Sequence, residues 1–238
     1  MELLSTLGPS SLNEKVLKKL ELLGVSLFRI NLSHTETKDL EKIIDHIRKF
    51  TQVPICIDTE GAQIRTRLKK KNFLNEGQLI KIFFNLDENI NSINFYPKES
   101  INQFKVGDLV FIDFNSVVVE VVKVEKTFIQ VVVINEGLIL SNKGVAINKP
   151  IKLSPFTQKD INSIKIAKKK KITNFALSFC NSTDDLNKLR KMIPSESNVI
   201  AKIENRIGFS NCKEICKSAD AVLIDRGDLS KEYNIEDI

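Results

Sequence analysis

The apolar positions at the start of the chain follow first a strand period and then a helix period. Residues 3–7 form a short apolar stretch that ends at Gly8-Pro9, and leucine and valine then recur at helical spacing over residues 16–23. Ser11 is the predicted N-cap of this helix, and Gly24 closes it. The pattern repeats with a strand at residues 26–32, a helix at 39–50 and a strand at 53–57. Strands that alternate with helices indicate a parallel α/β sheet or barrel.

From about residue 68 to residue 148 the helical period disappears. β-branched runs bounded by Asn, Gly and Asp clusters replace it, at residues 79–84, 109–112, 117–124 and 128–134. Such runs indicate short strands joined by turns. We therefore predict a compact all-β domain at residues 68–149, inserted into one β/α domain made of residues 1–67 and 150–238.

After Pro150 the alternation returns. The predicted helices span residues 159–170, 183–192 and 209–216, and the predicted strands span residues 175–179, 199–203 and 221–224. Six β/α strands result, whereas a (β/α)8 TIM-type barrel needs eight and typically about 250 residues. The pattern therefore predicts an incomplete barrel: either a fragment, or an open sheet that a partner such as a second copy covers. Residues 235–238 resemble the start of a further helix.

Composition and charge narrow the classes of protein. With 42% hydrophobic residues, nine Gly and six Pro, the chain is neither disordered nor fibrous. No apolar run approaches the roughly 20 residues of a membrane span, and residues 1–4 lack signal-peptide features, so we expect a cytoplasmic protein without membrane contact. The net charge is +6, but the basic runs at residues 69–71 and 168–171 lack interleaved aromatic residues. Nucleic acid is therefore disfavoured, whereas a small anionic substrate is compatible.

The four cysteines are widely spread except for Cys212 and Cys216. This pair has i,i+4 spacing beside Ile215, which is typical of a buried helix face. Metal binding or redox chemistry by the pair is the less favoured interpretation.

Polar side chains follow the predicted strands of the β/α domain. Functional groups of β/α barrels gather at the carboxyl ends of the strands, which here carry residues 29–34, 58–65, 202–205 and 225–228. Glu204 and Asp228 are separated by about one β/α unit, so they can occupy adjacent strand ends and suit Mg²⁺ or Mn²⁺. Strand alternation places Lys202 on the same side as Glu204.

Cationic groups at the same strand ends suit an anionic substrate. Arg29 and Arg65 can hold anionic oxygens as bidentate forks, and Lys202 can stabilise charge on a transferred phosphoryl group or an enolate. A network of structural salt bridges at the rim of the sheet is the alternative, and the spacing leaves it open. We interpret His34 as a polar loop residue rather than a catalytic one.

Five motifs in order resemble the pyruvate kinase family and cover essentially the whole chain. They are Thr6-Leu7-Gly8-Pro9-Ser10-Ser11, Phe28-Arg29-Ile30-Asn31-Leu32-Ser33-His34, Asp58-Thr59-Glu60-Gly61-Ala62-Gln63-Ile64-Arg65-Thr66, Ala201-Lys202-Ile203-Glu204-Asn205 through Gly208, and Asp225-Arg226-Gly227-Asp228-Leu229. The family patterns are Thr-Ile-Gly-Pro-Ala-Ser, Arg-Leu-Asn-Phe-Ser-His, Asp-Thr-Lys-Gly-Pro-Glu-Ile-Arg-Thr, Ser-Lys-Ile-Glu-Asn through Gly, and Ala-Arg-Gly-Asp-Leu-Gly. The resemblance implies a β/α barrel with an inserted small β-barrel, and phosphoryl transfer from phosphoenolpyruvate to ADP, which gives pyruvate and ATP.

The resemblance also implies roles for individual residues. Glu204 and Asp228 bind the divalent cation, and a monovalent cation, usually K⁺, binds Asn31, Ser33, Asp58 and Thr59. Arg29 and Lys202 hold the transferring phosphate, and backbone amides around Gly227 and Asp228 receive the substrate carboxylate. The nucleotide contacts are Asn31, His34, Arg65 and Lys143, of which Lys143 is brought over the phosphates by the mobile β domain.

The chain also departs from the family pattern. Glu60 replaces a lysine, Ala62 a proline, and Gln63 a position that is Glu in K⁺-dependent members and Lys in independent ones, so K⁺ dependence is open. Asp113-Phe114-Asn115 occupies the position of an Asp-Asp-Gly turn in the family, and Ser230 replaces a glycine. The arginine that the family has after Ser-Phe is absent from Ser178-Phe179-Cys180-Asn181.

The sequence also lacks the family's last two β/α units and its C-terminal domain, so we expect very weak turnover from a chain of this length. Two alternatives to a pyruvate kinase therefore stay open. One is a catalytically impaired module that binds phosphoenolpyruvate or another phosphorylated small molecule. The other is a different phosphoenolpyruvate or pyruvate enzyme on the same barrel, such as an aldolase or lyase. The inserted domain and Lys143 disfavour the latter.

Overall fold

The computed structural model describes residues 3–61, 63–85, 91–113, 115–149, 151–230 and 233. The chain divides into two compact units, one made of Met1–Ala62 with Ser154–Ile238 and the other of Gln63–Leu153. Each unit has its own hydrophobic core. We call the first the β/α unit and the second the β unit.

The β/α unit begins with alternating strands and helices, as the apolar periods predict. Its first elements are β1 (Leu4–Thr6), α1 (Glu14–Leu22), β2 (Leu27–Asn31), α2 (Thr37–Phe50) and β3 (Ile55–Asp58). A 3₁₀ turn at Leu32–His34 follows β2. Leu40, Ile44 and Ile47 are buried along one side of α2, which explains their helical spacing.

Helix α1 begins after an asparagine rather than after the predicted serine. The Val16 amide donates to the side-chain oxygen of Asn13 at 3.0 Å, so Asn13 is the N-cap. Ser11 instead closes the preceding turn, where its hydroxyl accepts from the Gly8 amide at 2.8 Å. The predicted cap is therefore wrong, because both residue types cap helices well and the turn at Gly8 takes the serine.

The β unit is a closed barrel of seven strands, counted over the described residues, with a separate two-stranded sheet. Its strands are β4 (Ile64–Arg67), β5 (Asn72–Leu74), β6 (Leu79–Phe83), β7 (Ile93–Tyr96), β8 (Leu109–Ile112), β9 (Val117–Val124), β10 (Phe128–Asn135), β11 (Gly137–Ile139) and β12 (Gly144–Ile147). The barrel order is β10-β6-β7-β4-β12-β8-β9, and β11 pairs with β5. Strand β4 is hydrogen-bonded to both β7 and β12. Residues 64–67 therefore belong to the β unit, not to the β/α domain to which the sequence pattern assigns them.

The β/α unit resumes after the β unit. Its later elements are α3 (Gln158–Lys169), β13 (Asn174–Leu177), α4 (Thr183–Arg190), β14 (Asn198–Ile203), α5 (Arg206–Ser210), α6 (Cys212–Ser218), β15 (Ala221–Ile224) and α7 (Arg226–Leu229). The single helix predicted at residues 209–216 is thus two helices, because the chain turns at Asn211 between α5 and α6. The further helix predicted at residues 235–238 lies outside the described residues.

All six predicted strands of the β/α unit form one curled parallel sheet in the order β1-β2-β3-β13-β14-β15. The carboxyl ends of neighbouring strands therefore meet at one edge. The described residues supply six strands, so a full eight-stranded barrel stays a prediction. Within the same residues, no helix is long and apolar enough to cross a membrane.

Gly61 allows the loop after β3 to lie directly against the segment after β13. Its φ is +74°, and a Cβ atom at this position would lie 2.5 Å from the carbonyl oxygen of Ser178. Both the backbone conformation and the close approach therefore require glycine. Because Gly61 lies directly against Ser178, the loop that begins after Asp58 stays close to Ser178.

We expect Gly61→Ala to lower the free energy of unfolding by about 1–3 kcal/mol more than Gly24→Ala, because only the first adds an overpacking clash to backbone strain. Gly24 is the matched control: its φ is +84°, and no atom lies within 4 Å of an added Cβ. Urea unfolding of both variants measures the difference. Equal losses of stability would show that the contact with Ser178 is unimportant.

Candidate active site

Lys202 lies at the centre of a polar cluster at the carboxyl ends of the parallel strands. It is only 5% exposed. Its Nζ atom lies 2.9 Å from Ser178 Oγ, 3.0 Å from Glu204 Oε1 and 3.3 Å from Asp58 Oδ2. An ammonium group has three donors, so these three acceptors satisfy it. Ile203, between Lys202 and Glu204 at the end of β14, is fully buried in the hydrophobic core.

Asp58 connects Lys202 to a second cation, Arg29. The Oδ2 atom of Asp58 lies 3.5 Å from Arg29 Nη1, and its Oδ1 atom accepts from the Ser178 hydroxyl at 3.0 Å. Arg29 Nε donates to Thr6 Oγ1 at 2.7 Å, which holds the guanidinium group in place. The Arg29 side chain is 19% exposed, whereas Asp58 is fully buried. The arginine is therefore the cation of this cluster that faces solvent and can meet an incoming anion.

Burial and neighbouring charges act in opposite directions on the Lys202–Glu204 pair. Burial lowers the pKa of Lys202, but the carboxylates of Asp58 and Glu204 outweigh it, so the pKa lies above its ordinary value. Burial raises the pKa of Glu204, and Lys202 and the Phe179 amide only partly offset this effect. The lysine is therefore held protonated, which is the form that stabilises negative charge on a substrate.

Two residues after β13 complete the cluster, and the sequence analysis missed both. Ser178 accepts from Lys202, donates to Asp58, and donates its amide to Thr59 Oγ1 at 3.0 Å. Phe179 has a φ of 51° and donates its amide to Glu204 Oε2 at 2.6 Å. The rule that selects residues at strand ends points to Ser178 as well, because β13 ends one residue before it.

Three carboxylates lie together beside the lysine cluster. One oxygen each from Glu204, Asp225 and Asp228 lies within 4.8 Å of the others. The sequence predicted Glu204 and Asp228 as partners on adjacent strand ends, and these two residues are close in space. Asp225 was missed as a member of this group. Three oxygen donors at this separation fit a hard divalent cation such as Mg²⁺ or Mn²⁺.

The backbone amides proposed for the substrate carboxylate already have an acceptor. Asp225 Oδ1 accepts from the amides of Gly227 at 3.1 Å and Asp228 at 3.2 Å. Asp225 is the N-cap of α7. Alanine occupies this position in the motif that the segment resembles, and alanine has no side-chain acceptor.

The four residues predicted for a monovalent cation lie at two adjacent strand ends. Asn31 and Asp58 are direct register partners on β2 and β3. Ser33 donates its amide to the Asn31 side-chain oxygen at 2.8 Å, and Thr59 follows Asp58 along the chain. All four offer oxygen atoms, which fits K⁺, and their assignment stays a prediction.

The remaining predicted nucleotide residues lie apart in the sequence and in the two units. His34 is exposed at the 3₁₀ turn after β2. Arg65 and Lys143 belong to the β unit. The Arg65 guanidinium group donates to the Asn142 carbonyl at 3.3 Å, and Lys143 Nζ lies 2.9 Å from Asp113 Oδ2. These roles stay predictions.

Glu60, which stands where the family pattern has lysine, belongs to a buried network of its own. Its Oε1 atom lies 3.0 Å from Lys159 Nζ, and its Oε2 atom accepts from the Thr157 hydroxyl at 3.1 Å. Asp160 accepts from the amides of Glu60 at 2.7 Å and Gly61 at 3.3 Å. Burial raises the pKa of Asp160 to about 6, although the amides of Thr157 and Glu60 that donate to it act in the opposite direction. The network fixes the loop that carries Asp58 and Thr59.

Parallel β/α strands that gather two cations and a carboxylate cluster at one edge define an α/β protein with its functional groups at the strand ends. Comparison with known proteins makes the class specific. The family model described as "Pyruvate kinase, barrel domain" matches residues 1–238. The chain therefore belongs to the pyruvate kinase family.

Individual relatives agree with this assignment. The chain is 31% identical to the pyruvate kinase of Thermotoga maritima and 28% identical to that of Aeropyrum pernix, and each match covers all of this chain and 53% of the relative. The pyruvate kinase of Chlamydia trachomatis is 28% identical, with 52% of its length covered. The chain thus spans about half the length of the relatives that it matches.

We expect the wild-type chain to bind Mn²⁺ or Mg²⁺ and the double variant Glu204→Gln, Asp228→Asn to bind it at least about tenfold more weakly, because two of three oxygen ligands lose their charge. Calorimetric titration of the metal measures the affinity. The matched control is Glu41→Gln, Asp45→Asn, which removes two carboxylates beside Lys170 instead. Equal affinity in the wild type and the first variant would remove Glu204 and Asp228 as ligands.

Proposed function

We propose that this chain carries the metal-binding and phosphate-binding part of a pyruvate kinase, which transfers the phosphoryl group of phosphoenolpyruvate to ADP and gives pyruvate and ATP. One observation supports this most: the buried Lys202 and the solvent-facing Arg29 share Asp58, beside the carboxylates of Glu204 and Asp228. The proposal includes two further β/α units that complete an eight-stranded barrel, because the chain spans half of its relatives.

Each cation has a separate role in the proposed reaction. Arg29 binds phosphate oxygens with its planar fork, since it is partly exposed and its Nε atom is already fixed by Thr6. Lys202 stabilises the negative charge that develops on the enolate oxygen, because it is protonated and shielded from water. A divalent cation at Glu204 and Asp228 would neutralise phosphate charge when bound. Catalysis at the proposed site depends mainly on positioning and electrostatic stabilisation, because a protein contributes little covalent chemistry to phosphoryl transfer.

The other ligands of the proposed reaction follow the family resemblance. K⁺ binds at Asn31, Ser33, Asp58 and Thr59. The positions that resemble the family's nucleotide contacts are Asn31, His34, Arg65 and Lys143, and their contacts with ADP or ATP stay predictions. The predicted cytoplasmic location and the predicted homo-oligomer belong to this proposal.

A second candidate function is favoured by the hydrogen bonds of Asp225. Its carboxylate takes the amides of Gly227 and Asp228, which the proposed reaction needs for the carboxylate of phosphoenolpyruvate. A chain in which this acceptor stays in place binds a phosphorylated small molecule through its phosphate alone and turns over poorly. The second candidate is therefore an impaired binding module of the same family.

We expect phosphoenolpyruvate to bind the chain only when a divalent cation is present, and we expect Arg29→Gln and Lys202→Met each to weaken this binding by at least about tenfold, since each removes a charge-assisted hydrogen bond. Calorimetry measures the binding, and circular dichroism checks that each variant is folded. Pyruvate formation from ADP is expected to be very weak for this length of chain.

The control for the lysine is Lys159→Met, which removes a partly buried cation that pairs with Glu60 instead. Unchanged binding in both Arg29→Gln and Lys202→Met would reject the proposed function. The partly exposed Arg29 keeps the test informative if loss of the buried lysine unfolds the chain.

We expect Asp225→Ala to tighten phosphoenolpyruvate binding roughly tenfold at saturating Mg²⁺, because two amides lose a competing acceptor worth about one hydrogen bond. Asp225→Asn is the control, because its side-chain oxygen still accepts from both amides while the charge is removed. Titration of both variants with phosphoenolpyruvate separates the effect of losing the acceptor from the effect of losing the charge. If the alanine variant binds no more tightly than the asparagine variant, the amides do not receive the substrate carboxylate.

A further inference from the structure

Two thiols on helix α6 lie side by side at the surface of the β/α unit. Cys212 Sγ and Cys216 Sγ are 3.7 Å apart, and both residues are free cysteines. Ile215 is the residue of α6 that points into the core, where it is fully buried. Cys212 is partly exposed and packs against the edge of that core, whereas Cys216 is exposed. The predicted buried helix face is therefore wrong for this pair.

The distance between the sulfur atoms matches a metal chelate. Two metal–sulfur bonds of about 2.3 Å at a tetrahedral angle place their sulfurs about 3.8 Å apart, so these thiols need almost no movement to bind one ion. A disulfide needs sulfurs about 2.0 Å apart and Cβ atoms about 3.5–4.5 Å apart. Cβ atoms at i,i+4 on a helix lie about 5–6 Å apart, so a disulfide would distort α6. The geometry thus favours chelation over oxidation.

We propose that Cys212 and Cys216 form a two-thiolate site for a soft divalent cation of the Zn²⁺ and Cd²⁺ type. The site shares no residue with the carboxylate cluster, whose hard oxygen donors suit Mg²⁺ instead. Among the described residues, the only group of three or more His, Cys, Asp or Glu side chains close enough to share an ion is Glu204, Asp225 and Asp228. Within this proposal, water completes the coordination at the thiols, as in an open zinc site.

Binding exchanges protons for the metal and transfers no electrons. Each thiol loses its proton to solvent as its sulfur bonds the cation, so one ion releases up to two protons. Partial burial first, and then the hydrogen bond and charge of Cys216, raise the pKa of Cys212. Without metal we therefore expect the Cys212 thiol to be weakly nucleophilic.

Titration of the purified chain with Cd²⁺ tests the site, with the sulfur-to-cadmium charge-transfer absorbance as the readout. We expect one Cd²⁺ per chain at the thiols, competition by Zn²⁺, and no displacement by a large excess of Mg²⁺. The double variant Cys212→Ser, Cys216→Ser should lose the absorbance band. Persistence of the full band in that variant would overturn the proposal, because Cys56 and Cys180 would then be the ligands.

A swapped variant, Cys216→Ser with Lys217→Cys, keeps four thiols but turns the second one away. Side chains at i,i+4 differ by about 40° around the helix, and those at i,i+5 by about 140°. We expect roughly tenfold weaker Cd²⁺ binding, because the second thiol no longer acts in the same chelate. Equal affinity would overturn the proposal. So would a count of two thiols rather than four in the unfolded, unreduced chain, since the pair would then be a disulfide.

Discussion

The β/α unit depends on keeping the ammonium group of Lys202 paired while it is buried. An unpaired buried charge costs several kcal/mol, and removal of one partner from a buried ion pair typically costs about 3–5 kcal/mol. The three acceptors come from three neighbouring strands: Asp58 from β3, Ser178 from the end of β13, and Glu204 from the end of β14. The order β3-β13-β14 in the sheet is the order that lets all three reach one nitrogen.

The same constraint explains how the chain tolerates Glu60. A buried carboxylate at this position would be costly alone, but Lys159 and Thr157 from the start of α3 supply a cation and a hydroxyl. Asp160 then satisfies the amides of the loop that Glu60 occupies. The substitution therefore keeps the β3 loop ordered through a second network, separate from Lys202. Such compensation is local: it involves two segments that the sheet order already brings together.

The sequence predicts those parts of the site that follow from strand position, and it misses those that depend on register. Arg29, Lys202 and Glu204 were found because parallel strands bring their carboxyl ends to one edge. Ser178 was missed because the strand predicted at residues 175–179 runs through it, whereas β13 ends at Leu177; its role arises from its contacts across the sheet with Asp58 and Lys202. Asp225 was missed for a related reason, since an acidic residue before a helix is also an ordinary N-cap.

The boundary between the two units and the direction that a helix faces also depend on contacts that the sequence pattern does not show. The segment Ile64–Arg67 alternates β-branched residues with arginines and is compatible with either unit, and only its hydrogen bonds to β7 and β12 assign it to the β unit. The sequence spacing of Cys212 and Cys216 gave their separation along a helix but not the direction in which that helix faces. Packing of Ile215 into the core settles the direction.

Asp225 creates a conflict between cation binding and carboxylate binding at the same edge of the sheet. Its charge adds to those of Glu204 and Asp228, so the six charged side chains Arg29, Asp58, Lys202, Glu204, Asp225 and Asp228 carry four carboxylates against two cations. An excess of two negative charges favours a divalent cation. The same carboxylate occupies two amides that an anionic substrate would otherwise use. A carboxylate has two oxygens, so Asp225 can offer Oδ2 to a cation while Oδ1 keeps both amides. Its charge then favours the cation while its hydrogen bonds oppose the substrate carboxylate, and the two effects act through this one side chain.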